Sequence, residues 1–139
     1  MLPLVKTLID LLTRDTVRVQ EVNTALGDVI SGGAENVPFT LRPHEAGVKS
    51  AQVVRQNAAD GVSHVELQLA QPLAMTELVK AFGAFQNVPR SPTPTVAPRV
   101  VFYATPSGRS HTAAIFASYD PGSRNAEDGR VTQIMIRRD

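Results

Sequence analysis

One passage of this chain is written twice. Asn125-Ala126-Glu127-Asp128-Gly129 repeats Asn57-Ala58-Ala59-Asp60-Gly61, and each Asp-Gly runs into a β-like segment, Val62 to Leu67 and Val131 to Ile136. At a shift of 69, Val62 falls on Val131, Ser63 on Thr132, Val65 on Ile134 and Leu67 on Ile136. Upstream of each turn a helical pattern closes on a large apolar residue and a glycine, Ala25-Leu26-Gly27 and then Ala81-Phe82-Gly83. This pattern predicts two copies of one unit, about residues 1–70 and 71–139, within a single domain. A chain of 139 residues is long enough to bury a core that needs no disulfide or metal to hold it.

Taken in order, Leu2, Val5, Leu8, Ile9, Leu11 and Leu12 recur at helical spacing, with Pro3 in the tolerated first turn, so residues 2–12 read as an amphipathic helix. Asp15 or Thr16 is then a candidate N-cap for a second helix with Val22, Ala25, Leu26, Val29 and Ile30 as its buried stripe, closed by Ser31-Gly32-Gly33. Three β-like runs follow, roughly 37–43, 47–56 and 62–70, joined by connections too short for a parallel crossover. In the third run Val65, Leu67 and Leu69 alternate with His64, Glu66 and Gln68, the mark of a strand with one wet face. Gln71-Pro72 breaks that run, and Leu73, Leu78, Val79 and Phe82 form the helix of the second unit. The segment from Asn87 to Pro98 carries four prolines (Pro89, Pro92, Pro94, Pro98) and reads as an extended loop. Strands at about 99–105, 111–119 and 130–137 complete the chain.

The expected fold is therefore α+β: two tandem α(α)-β-β-β units, with the helices packed on one face of a mainly antiparallel sheet. Helix-then-three-strand units in tandem, each helix ending in a large apolar residue plus glycine (Leu26-Gly27, Phe82-Gly83), resemble the β-lactamase-inhibitor-protein-like fold and the related outer-membrane assembly lipoprotein domains. The resemblance spans about residues 13–137 and implies a small protein-binding module. The chain departs from the pattern in having no cysteine, where those inhibitors carry disulfides, and in having Asp28 and Ala84 where the lipoprotein domains place a proline.

Composition narrows the function by exclusion. The absence of cysteine rules out disulfides, cysteine catalysis and thiolate metal sites, but fixes no compartment. The sequence reads as cytoplasmic as it stands, and as periplasmic or secreted if a signal peptide has been removed, so localisation stays open. Its apolar runs are too short to span a bilayer. A net charge of +1 gives no global field for nucleic acid. His44, His64 and His111 lie at no spacing that makes a metal pair, and no metal or organic cofactor is expected. Ser107, Ser110, His111 and Asp120 contain the residue types of a hydrolytic relay, but no nucleophile-elbow motif surrounds either serine. Pro106-Ser107-Gly108 reads as a hairpin turn, and Asp120 to Asp128 lacks the alternating ligands of a calcium loop. Arg130, Arg137 and Arg138 on the last strand read as charges guarding a sheet edge.

What remains is the sheet face turned away from the helices. Alternation places His64, Glu66, Gln133, Met135 and Arg137 there, and makes Arg99 and Tyr103 further candidates. The strand over 111–119 is apolar on both faces and cannot be phased. Tyr, Met and Arg are enriched at protein interfaces. The expected function is a non-enzymatic protein-binding module of inhibitor, immunity or envelope-assembly type. Its expected contact residues are His64, Glu66, Tyr103, Gln133, Met135 and Arg137, with partner identity and oligomeric state open. The alternative is a small-molecule-binding domain or small enzyme with a pocket between sheet and helices.

Overall fold

The computed structural model describes residues 1–34, 37–56, 61–89, 97–120 and 125–139. The first copy of the repeated turn (Asn57 to Asp60), the centre of the proline segment (90–96) and residues 121–124 of the segment from Asp120 to Asp128 lie outside them. Three helices and eight strands alternate as α1 (Leu2–Leu12), α2 (Val19–Leu26), β1 (Gly27–Ser31), β2 (Phe39–Pro43), β3 (Val48–Arg55), β4 (Val62–Ala74), α3 (Met75–Phe82), β5 (Gln86–Asn87), β6 (Arg99–Ala104), β7 (Ala113–Tyr119) and β8 (Arg130–Arg138). The strands form one open antiparallel sheet in the order β1-β2-β3-β4-β8-β7-β6-β5. The expected α+β class is what the chain adopts. No helix among the described residues is long and apolar enough to cross a membrane.

All three helices lie on one face of the sheet. Val5, Leu8 and Leu12 of α1, Val22 and Leu26 of α2, and Met75 and Leu78 of α3 share a single buried core with Val65 and Leu67 of β4, Phe102 of β6, Ile115 of β7 and Ile134 and Ile136 of β8. Phe102 is the aromatic centre, 5.7 Å from the Phe85 ring at 69° and 6.2 Å from Phe82 at 59°. These are the tilted arrangements that ring quadrupoles favour. Thr13 is the only polar residue buried among those described. Its hydroxyl donates to the Ile9 carbonyl at 2.7 Å, so it closes α1 without leaving a polar group unpaired.

Several local expectations are corrected. Val29 and Ile30 do not continue the helical stripe: α2 stops at Leu26 and the chain passes straight into β1, where they are 48% and 56% exposed. The joint works because Gly27 has no side chain, since a Cβ there would stand 2.0 Å from the Arg42 carbonyl oxygen on β2. Neither Asp15 nor Thr16 caps α2. Its N-cap is Arg18, with no side-chain bond. β4 continues past Gln71-Pro72 to Ala74, with Leu73 and Ala74 paired to Val131 and Arg130. The irregular register between Gln68 and Leu73 accommodates the proline, which has no N–H to give to a ladder. With β1 and the two-residue β5 added, each half of the sheet holds four strands where three were expected. Finally, β8 is a central strand between β4 and β7, so Arg137 and Arg138 guard no edge.

On the helix side, one ion cluster fixes the corner between α1 and α2. Asp10 accepts from Arg109 of the β6–β7 connection at 2.6 Å and from Arg14 at 3.2 Å. Arg138 donates to the carbonyls of Arg14 and Asp15 at 2.5 and 3.2 Å. The Arg109 hydrogen bond, against a small burial penalty, holds the Asp10 carboxyl below its ordinary pKa of 3.8. A carboxyl depressed by folding contributes stability above its unfolded pKa, and that stability is lost as pH falls through the folded value. Asp10→Asn should therefore flatten the part of the acid limb of a melting-temperature profile that lies below pH 3.8. Because the Asp10 side chain is 46% exposed, screening keeps the expected loss at neutral pH below about 1 kcal/mol. An acid limb identical in the two proteins would refute this.

Candidate functional site

The open face is ordered by the strand register, which places outward residues in rows across the sheet. One row runs Thr40, Gln52, Glu66, Met135, Phe116, Val101. A neighbouring row runs Val54, His64, Arg137, Ala114, Tyr103, and the row on the other side runs Gln68, Gln133, Ser118, Arg99. All six residues expected to form the contact surface lie on this face. His64 pairs directly with Arg137, and Glu66 with Met135. Gln133 lies between Gln68 and Ser118, and Tyr103, 45% exposed, stands across Ala114 from Arg137.

The two halves of the face differ in chemistry. Over β2 to β4 it is polar, with a shallow depression of about 150 Å³ whose lining includes Thr40, Ser50, Gln52, Glu66 and Gln68. His64 Nε2 lies 3.4 Å from Glu66 Oε1, and its Nδ1 lies 3.3 Å from Ser63 Oγ. Over β6 to β8 the face is apolar and cationic. Val101, Ala114 and Phe116 form a second buried cluster, packed by Val88 and Met135 and separate from the core under the helices. Phe116 is only 8% exposed although, among the described residues, no helix residue packs in its cluster. Two guanidiniums flank its ring, with Arg99 Cζ 5.1 Å and Arg137 Cζ 4.9 Å from the centroid. A cation against an aromatic face is held by the ring quadrupole, and the long arginine stems also shield apolar surface.

Phe116, Val101 and Ala114 are the site residues that sequence reasoning missed. Ala113-Ala114-Ile115-Phe116-Ala117 gives no alternation to phase, and the arginines that cover Phe116 come from other strands. Arg99, a candidate by alternation, is the residue that pointed nearest to it.

The other candidates separate. Ser110 Oγ and His111 Nε2 both approach Asp15 Oδ1, each at 3.4 Å. The acid thus stands between serine and histidine, whereas a relay needs the histidine in the middle. His44 is 3.2 Å from Asp28. Among the described residues no group of three His, Asp or Glu side chains gathers as a metal site. Two open grooves flank α2. One, about 540 Å³, includes Thr7, Leu11, Arg18 and Glu21, and the other, about 640 Å³, includes Asn23, Gly27, Val29 and Phe39. Neither groove includes His64 or His111. No protein-family model, curated protein or solved structure matches this chain.

Proposed function

We propose that this chain is a non-enzymatic protein-binding module, of inhibitor, immunity or envelope-assembly type, that meets its partner through the sheet face opposite the helices. The observation that carries the reading is the second apolar cluster. A phenylalanine kept on the helix-free face, packed by Met135 and Val88 and flanked by two arginines beside an exposed tyrosine, is the composition of an interface centre.

We also infer that the chain is a tandem duplication. If a shift of 69 relates β4 to β8, Val65 corresponds to Ile134 and Leu67 to Ile136. The cross-strand pair Val65–Ile136 then corresponds to Ile134–Leu67, and both pairs occur. Glu66 and Met135, directly opposed, would mark the local two-fold axis. The mirrored strand order and the glycine after α2 and after α3 support the same relation. On this reading the resemblance to tandem inhibitor and lipoprotein units is one of arrangement, a helix followed by an antiparallel meander, twice.

The test is affinity capture with wild-type protein as bait, followed by calorimetry on the captured partner. Tyr103→Ala and Arg137→Ala should each weaken the complex by about 1–3 kcal/mol while leaving the melting temperature nearly unchanged. A partner whose affinity ignores every outward substitution and responds only to changes between Asn87 and Pro98 would move recognition to that segment.

A further inference from the structure

We infer that the surface over β6 to β8 is built to receive an acidic, extended segment of a protein partner, its carboxylate held between Arg99 and Arg137 above Phe116. The inference rests on the protein-binding reading and specifies the partner's chemistry. Its first support is charge. Strands β6, β7 and β8 contain four arginines (Arg99, Arg130, Arg137, Arg138) and not one aspartate or glutamate. Arg138 is committed to carbonyls on the helix side, whereas Arg99 and Arg137 project onto the open face. The acid paired across from this half on the same face, Glu66, is already beside His64. Apart from Asp139, 3.7 Å from Arg137, no acid among the described residues comes within ion-pair distance of these two guanidiniums.

The second support is the state of the two guanidiniums. A ring contact consumes no N–H donor. Among the described residues, Arg99 makes no side-chain hydrogen bond or ion pair, and Arg137 makes only a 3.7 Å approach to Asp139. Held against Phe116, both side chains have already lost much of the freedom that binding would otherwise cost them. Their planar donor forks match a carboxylate. Met135 and Tyr103 lie alongside, so an apolar residue next to the acid has a place to land.

Two other occupants fit less well. A small free anion would want a concave site that buries it, and none of the three depressions described above includes Arg99 or Arg137. Single-stranded nucleic acid would want several exposed rings for stacking, whereas Phe116 is 8% exposed and Tyr103 is the one exposed aromatic on this face among the described residues.

The test pans a random peptide phage library against the full chain and, in parallel, against R99Q/R137Q. Peptides enriched on wild type should be rich in Asp and Glu with an adjacent apolar residue. A synthetic peptide of the enriched sequence should bind R99Q/R137Q at least about tenfold more weakly and weaken as salt rises, with the variant's melting temperature lowered by only a few degrees, the cost of two lost ring contacts. R99K/R137K, which keeps the charges and loses the forks, should fall between. Enriched peptides that lack acids, or that bind R99Q/R137Q as well as wild type but lose affinity with Tyr103→Ala or Met135→Ala, overturn the acidic segment and leave the sheet-face reading standing. A library that yields no binder, or only binders indifferent to all these substitutions, overturns both. A single-stranded oligonucleotide or a phosphatidylserine vesicle that binds more tightly than the peptides, with the same arginine dependence, also overturns the acidic segment.

Discussion

Gly27→Ala should lower the unfolding free energy by about 2–3 kcal/mol, the upper part of the range of about 1–3 kcal/mol for forcing extra carbon into a closed contact. The backbone at Gly27 is extended, so no unusual dihedral is at stake and the cost is one of space. A Cβ there would lie 2.0 Å from the Arg42 carbonyl oxygen, 2.8 Å from its carbon and 2.9 Å from the Pro43 Cα. All three are main-chain atoms of the paired strand, so no rotamer change relieves the clash and β1 must part from β2 or α2 must shift. For a chain of this size the loss corresponds to a fall of roughly 10 °C in melting temperature. Gly108→Ala is the internal control. It meets nothing within 4 Å and carries only the strain of φ +81°, so it should cost about 1 kcal/mol. Equal melting temperatures for the two variants would show that the joint between α2 and β1 is looser than described.

The second large effect is expected at the seam between the two halves of the sheet. Leu67 and Ile134 are fully buried cross-strand partners on β4 and β8. Leu67→Ala or Ile134→Ala should each cost about 2–5 kcal/mol, through lost apolar burial plus the cavity left behind. Because the two side chains share one space, the double variant should cost less than the sum, with a coupling of about 0.5–3 kcal/mol. Chemical denaturation of the four proteins measures this directly. Strict additivity would mean that the two residues do not fill a common volume.

The strands that alternate were legible from the sequence. β4 and β8 announce their buried faces through Val65, Leu67, Ile134 and Ile136, and the same alternation assigns His64, Glu66, Gln133, Met135 and Arg137 to the other side. The failures share a physical cause, which is that the deciding contact lies far away in sequence. Val29 and Ile30 sit at helical spacing from Val22 and Leu26, and only the approach of Arg42 reveals why the helix must stop at Leu26. The two faces of β7 look alike until Arg99 and Arg137 arrive from neighbouring strands to flank Phe116. Asp15 has the chemistry of a cap, yet its side chain faces Ser110 and His111, nearly a hundred residues on.

The position of β8 also sets the order in which the molecule can be assembled. It comes last of the eight strands in chain order, and it pairs along β4 on one side and β7 on the other. Until it leaves the ribosome, β4 is an open edge whose donors and acceptors can pair with another nascent chain, a hazard of any unpaired strand. Closing that edge joins residues far apart in sequence, such as His64 to Arg137, and pairings of such long range are slow to form. A growing chain of this kind would carry the four-stranded meander of its first half, with β4 as a bare edge, from the completion of β4 at Ala74 until β8 has been made.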